Sequence, residues 1–399
     1  MPWASVSITE QSLTQSVAQA ADQLLDALGG REPDLLIVFV SSHHRNHFGA
    51  LPGLLRREFE HTQIVGSLGV SVIGAGHESG DSPAIAMIGA LLPAVELQAV
   101  HLEQNEIPPL YAERTQWDEA LHLTAQQPAG QLLLTDPFTF NTDALLKALD
   151  RQYPETVKLG GLASGLEEPG MPSLLLNEQV YHSGAVCLSL SGDIEIDTIV
   201  AQGCRPIGEP MFANVTHDNL ILQLDGKIPR EILTSLYEKI DRADRKLFTE
   251  ALFLGIAMRP QQLHYAQGDY LIRTILGLDP DTGALLVNTP IPAQSVVQLH
   301  VRDARTATQD LEQQLNTYHN QHASLHDSGV LLFSCVGRGA EFYGEANHDS
   351  NAFKRLIGEL PTAGFFCNGE IGAVHGSTYL HGYTSVFGIF RSKIKTTIN

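Results

Sequence analysis

Apolar residues fall along this chain in short unbroken runs, and most runs end at a glycine or a polar loop. Asp34 to Val40 (Asp-Leu-Leu-Ile-Val-Phe-Val) is the first. Its continuity predicts a strand covered on both faces. Ahead of it, Leu13, Val17, Ala20, Leu24 and Leu28 recur at helical spacing. They predict an amphipathic helix over Thr9 to Leu28, capped by Thr9 and ended by Gly29. Behind it the pattern predicts a loop (Ser41 to Gly49), a short helix (Leu51 to Glu60), a glycine-interrupted segment (Gln63 to Gly69) and a strand (Ala84 to Leu92).

The order then recurs. Gln131 to Thr135 reads as a strand, Thr142 to Tyr153 as a helix, Val157 to Gly165 as a glycine-interrupted segment and Gly184 to Leu190 as a closing strand. A third copy runs from the apolar Gly329 to Val336, through a helix at Asn351 to Leu360 and the glycine-broken Thr362 to Cys367, to the strand Ser385 to Phe390. Gly66, Gly160 and Gly364 occupy equivalent turns. Self-similarity of this kind marks an internal repeat.

Different material separates the second and third copies. Ala213 to Leu224 alternates toward a hairpin turn at Asp225-Gly226, and Pro229 opens a helix. Strands follow at Phe253 to Met258, Tyr270 to Leu276, Ala284 to Asn288 and Ser295 to Val301, with a turn at Asp279 to Gly283. Asp303 caps a polar helix from Ala304 to Tyr318. Gly203 to Pro210 is the boundary the sequence offers. The expected layout is an N-terminal helix over 1–30 and two halves over 31–205 and 206–399. The expected fold is α/β with mixed sheets and strand-loop-helix-strand-strand repeats.

With 399 residues the chain exceeds one ordinary core. A net charge of −20 repels phosphate backbones and anionic lipid headgroups, which argues against nucleic acid and membrane surfaces as partners. The four cysteines form no CxxC pair and suit a reducing cytoplasm. Met1 to Thr9 lacks a basic signal-peptide start, and the apolar stretch Ala84 to Val95 is too short to span a bilayer.

Ser334-Cys335-x-Gly337-Arg338-Gly339, Ala363-Gly364-Phe365-Phe366-x-Asn368-Gly369-Glu370-Ile371-Gly372 and His381-x-Tyr383-Thr384 together resemble the C-terminal half of the FIST family, the F-box and intracellular signal transduction proteins. Leu224-Asp225-Gly226-Lys227 and Val301-Arg302-Asp303-Ala304 extend the resemblance, which runs from about Asp34 to Arg391. It implies a cytoplasmic sensory module that binds a small ligand, amino acids among them, and reports to a signalling partner protein. It implies two FIST-like halves and adds Arg302 to the pocket residues.

Strand ends in such sheets hold ligands. The expected ligand site therefore collects Arg338, Glu370, Asn368, Cys335, Gly364 and Arg302. An amino acid needs one cation and one anion receptor. Arg338, between two glycines, would grip a carboxylate with its fork, and Glu370 an ammonium group; the alternative is that each makes an internal ion pair, Arg338 with Glu370 or Asp303. An enzyme reading uses Cys335 as nucleophile with His381 as base, against which stands a cysteine that merely fills space in an apolar strand. A third reading is a protein-interaction scaffold. His43, His44 and His47 lack the companions of a zinc site. The glycine turns match neither GxGxxG nor a P-loop. No cofactor or metal is expected.

Overall fold

The computed structural model describes residues 1–124, 127–171, 173–322 and 325–393. It divides into two compact units, one of residues 1–200, 312–380 and 384–399, the other of 201–311 and 381–383.

In the first unit the described residues form three mixed sheets of the same design. In each, an apolar strand with every residue buried sits between a parallel and an antiparallel neighbour. Leu35–Ser41 pairs in parallel with Gln63–Gly69 and antiparallel with Ala84–Ala90. Gly130–Thr135 pairs likewise with Val157–Leu162 and Ala185–Gly192. Gly329–Cys335 pairs likewise with Thr362–Cys367 and Thr384–Arg391. A helix bridges each parallel pair: Leu51–Glu58, Thr142–Gln152 and His348–Leu356. The repeat read from the sequence is thus the architecture of this unit.

The register shows why glycine recurs at one place. Val38 is the direct partner of Gly66, Leu133 of Gly160 and Leu332 of Gly364. A Cβ on any of the three glycines would strike the carbonyl oxygen of that partner, well inside van der Waals contact. These glycines serve close backbone approach.

The sequence pattern gave no sign of how the sheets are completed. Each repeat sends a short hairpin to a sheet built by another. Val72–Gly74 with His77–Glu78, from the first repeat, pairs with Thr362–Cys367 of the third. Leu174–Leu176 with Gln179–Tyr181, from the second, pairs with Gln63–Gly69 of the first. Glu370–Val374, from the third, pairs with Val157–Leu162 of the second. Equivalent backbone bonds seal each junction: Leu68 N to Ser173 O (2.9 Å), Leu162 N to Gly369 O (2.9 Å) and Phe366 N to Ser71 O (3.0 Å). The three sheets share one core, in which Phe39, Phe333 and Phe365 meet with ring centroids 5.0 to 6.2 Å apart.

The outer strands were also missed. Trp3–Thr9, Val95–Leu102 and Glu195–Gln202 each flank a sheet. The first helix accordingly spans Leu13–Ala27, with Ser12 rather than Thr9 as its cap.

In the second unit, Cys204–His217, Leu220–Leu224, Leu252–Ala257, Tyr270–Leu278, Leu285–Val287 and Ser295–Arg302 close into a barrel. The expected turn at Asp225-Gly226 forms, with both residues left-handed and Leu224 and Lys227 exchanging backbone hydrogen bonds at 2.9 Å, and a second turn at Asp218-Asn219 divides the stretch read as one strand, Ala213 to Leu224, into two. The expected contiguous halves are cut differently by the compact units. The chain leaves the first unit after Val200, and the third repeat returns to it, because its strands and hairpin complete sheets begun before residue 200.

Candidate functional site

The strands Gly329–Cys335 and Thr362–Cys367 end side by side, and the hairpin carrying Glu78 extends their sheet. Beyond Cys335 the chain turns tightly, with Arg338 N donating to Cys335 O at 2.8 Å. Gly339 then takes φ +96°, a value that favours glycine. A cleft of 540 Å³ opens at this end, lined among others by Ser71, Glu78, Asp81, Gly337, Glu341 and Asn347. Val70 and Phe366 also line it. There Ser164 ties the bend after Gln63–Gly69 to the strand Thr362–Cys367, accepting from Val70 N at 2.8 Å and donating to the carbonyl of Phe366.

Arg338 forms part of the cleft wall, yet its side chain is wholly buried. Its Nε lies 2.9 Å from Asp349 Oδ2 and its Nη2 3.2 Å from Oδ1, a forked charge-assisted pair. Asp349 also accepts from Ser334 Oγ (3.3 Å) and Ser385 Oγ, and meets His348 Nδ1 at 2.9 Å. Burial alone would raise its pKa. Arg338 and the hydrogen bonds from His348 and Ser385 outweigh it and hold the carboxyl well below the usual range. The His348 ring stacks on Tyr343 at 3.5 Å.

Glu78 also stands in the cleft wall. It accepts from Ser350 N and Oγ, both at 3.3 Å, while its own N–H donates to Asn347 Oδ1 at 2.7 Å. Asn347 adopts φ 60°, the left-handed region, to present that oxygen. Burial, and next the negative charge of Asp349, raise the Glu78 carboxyl to about 7. Desolvation disfavours the charged form and a like charge adds to it.

Of the expected site residues, Arg338 lines the cleft and the others do not. Arg338 reaches the cleft and is paired with Asp349. Glu370 is buried on the sheet of the second repeat, where its Oε2 accepts from Thr384 N (3.1 Å) and Oγ1 (2.7 Å). It does not line this cleft. Asn368 is exposed, and its N–H donates to Leu162 O at 3.1 Å. Gly364 faces the Leu332 carbonyl and leaves no room for a ligand. Cys335 is buried beside Cys367, whose thiol is pushed well above its ordinary range by burial and then by Glu370 and Cys335. Arg302 and His381 belong to the other unit, where the Arg302 guanidinium lies over the Tyr383 ring at 5.2 Å. Asp303 caps its helix, as expected, by accepting from Thr306 N at 2.8 Å.

Sequence reasoning missed Asp349 and Glu78. A buried Arg after an apolar strand demands a carboxylate, and Asp349 lies in the first turn of the helix His348–Leu356. The helix was expected to begin at Asn351, two residues too late to include it. Glu78 lay in a stretch given no element, since its strand is two residues long.

A FIST N domain matches residues 34–227 and a FIST C domain residues 230–373. The uncharacterized protein Mb0898c of Mycobacterium bovis is 31% identical over 388 residues, 96% of this chain and 97% of that protein. Rv0628c of Mycobacterium tuberculosis is 32% identical with the same coverage. Human F-box only protein 22 is 42% identical over 48 residues, 12% of each chain. A solved cyanuric acid hydrolase from A. caulinodans aligns over 98% of this chain and 99% of its own at a TM-score of 0.35 and 10% identity, too loose a likeness to carry chemistry across. FIST domains are associated with signal transduction and small-ligand sensing. This chain is a member of the FIST family, with a FIST N domain followed by a FIST C domain.

Proposed function

We propose that this protein is a cytoplasmic sensor that binds a small ammonium-bearing ligand, an amino acid or related amine, in the cleft beside Glu78, and reports its occupancy to a partner protein. One observation carries the reading: a 540 Å³ cleft holds a carboxyl that titrates near neutrality beside a fixed amide oxygen. Perturbed groups in clefts are the usual mark of a binding site. The other acidic side chains on the wall, Asp81 and Glu341, add negative potential, while the Arg338 charge is spent on Asp349. The wall therefore favours a cation over the carboxylate-first recognition expected from Arg338 and Glu370. Backbone N–H groups of the Gly337–Gly339 turn are the means by which the carboxylate of an amino acid would be met.

The cytoplasmic setting rests on four cysteines, none of them in a disulfide. No helix among the described residues is long and apolar enough to cross a membrane. A thermal-shift screen of amino acids and amines at pH 8 tests the reading, because a ligand at 100 times its Kd stabilises by about 2.7 kcal/mol. A panel that leaves the melting temperature unmoved counts against it.

A further inference from the structure

Cys335 and Cys367 close a parallel strand pair as direct register partners. Register partners on adjacent strands share a face, with strands about 4.8 Å apart. That spacing falls inside the ~4.4–6.8 Å Cα separation that a disulfide spans. Neither cysteine is in a disulfide. The other two cysteines face no such partner: Cys187 lies opposite Val100 and Leu133, and Cys204 opposite Arg302.

The two thiols differ in access. Cys367 is wholly buried, its sulfur against Gly161. Cys335 is 7% exposed, and the residues that follow it, Val336 to Gly339, line the cleft. Of the two thiols, Cys335 is the one an oxidant meets first. Burial and the neighbouring charge of Glu370 raise the Cys367 thiol, which makes Cys335 the thiol that peroxide oxidises first.

We propose that Cys335 and Cys367 are a peroxide-responsive dithiol at the ends of two paired strands. Hydrogen peroxide oxidises the Cys335 thiol to a sulfenic acid and leaves as one water. The Cys367 sulfur then attacks the Cys335 sulfur. The S–O bond breaks, the hydroxyl takes the Cys367 proton and leaves as a second water, and an S–S bond remains. Two thiols lose two electrons and one peroxide gains them. A thiol reductant reverses the bridge by exchange. The bridge would pin the cleft wall, since Val336 N already donates to Cys367 O at 2.9 Å.

The test treats the purified protein with hydrogen peroxide, denatures it under acid quench and counts thiols. One pair of the four should disappear and return with dithiothreitol. Non-reducing peptide mapping should link Cys335 to Cys367. In Cys367→Ser, dimedone should instead label Cys335. A full thiol count after peroxide, a bridge through Cys187 or Cys204, or sulfinic acid on Cys335 of the unsubstituted protein overturns the proposal. The unsubstituted protein's peptide map decides the matter even if Cys367→Ser does not fold.

Discussion

Arg338 and Asp349 form a buried forked ion pair, with Nε 2.9 Å from Oδ2 and side chains 0% and 3% exposed. Asp349 stands at the start of the helix His348–Leu356 and Arg338 in the turn after Gly329–Cys335, so the pair fastens that helix to the strand end. Breaking one side of such a pair strands a buried charge. Arg338→Ala and Asp349→Ala are each expected to cost about 3–5 kcal/mol in urea unfolding. Arg338→Lys should recover only part of this, because it keeps the charge and loses the fork. An Arg338→Ala protein as stable as the parent would show that the pair holds nothing together.

The three equivalent glycines give a sharper contrast. Gly160→Ala and Gly364→Ala place a methyl on the carbonyl oxygens of Leu133 and Leu332, backbone atoms that do not yield. Both proteins are expected to lose the folded state or most of its stability. Gly53, within the helix Leu51–Glu58, has nothing within 4 Å of its would-be Cβ. Gly53→Ala should therefore stabilise, by up to about 1 kcal/mol from helix propensity. Circular dichroism melts of the three proteins separate these outcomes.

How much of this was legible follows from where each signal lives. Continuous apolar runs such as Leu35–Ser41 announce strands buried on both faces, and the glycines at 66, 160 and 364 announce close approach. Both are local; the runs were read, but the glycines were read as turns, whereas all three lie inside strands. The hairpin exchange is not local. Val72–Gly74 is three residues long and its partner, Ala363 to Phe365, lies some 290 positions away, so no periodicity marks the pairing. The same distance hid the site. Glu78 reaches the cleft only because its hairpin joins the third repeat's sheet, whereas Glu370, which sits close to Arg338 in sequence, is carried off to the second repeat's sheet.

The Glu78 carboxyl, raised to about 7 from an ordinary 4.5, makes stability depend on pH. The folded state holds this proton more tightly than the unfolded chain does. Stability from this group is therefore full below about pH 4.5 and declines as pH rises through about 7, by at most roughly 3 kcal/mol. Glu78→Gln keeps an acceptor for Ser350 and removes the titration. It should melt higher than the parent at pH 8, with the gap closing by pH 5. A gap independent of pH would mean that Glu78 titrates normally.

The central claim is that a charged Glu78 receives the ammonium group of the ligand. Titration calorimetry at pH 8, with the amino acid or amine that most stabilises the protein, measures this directly in the parent and in Glu78→Gln. Losing a charge-assisted hydrogen bond of about 1.5–3 kcal/mol should weaken binding by roughly one to two decades. The parent's own affinity should fall as pH is lowered from 8 to 6, as Glu78 takes up its proton. Equal affinity in the parent and in a folded Glu78→Gln, with no change across that pH range, would contradict the account.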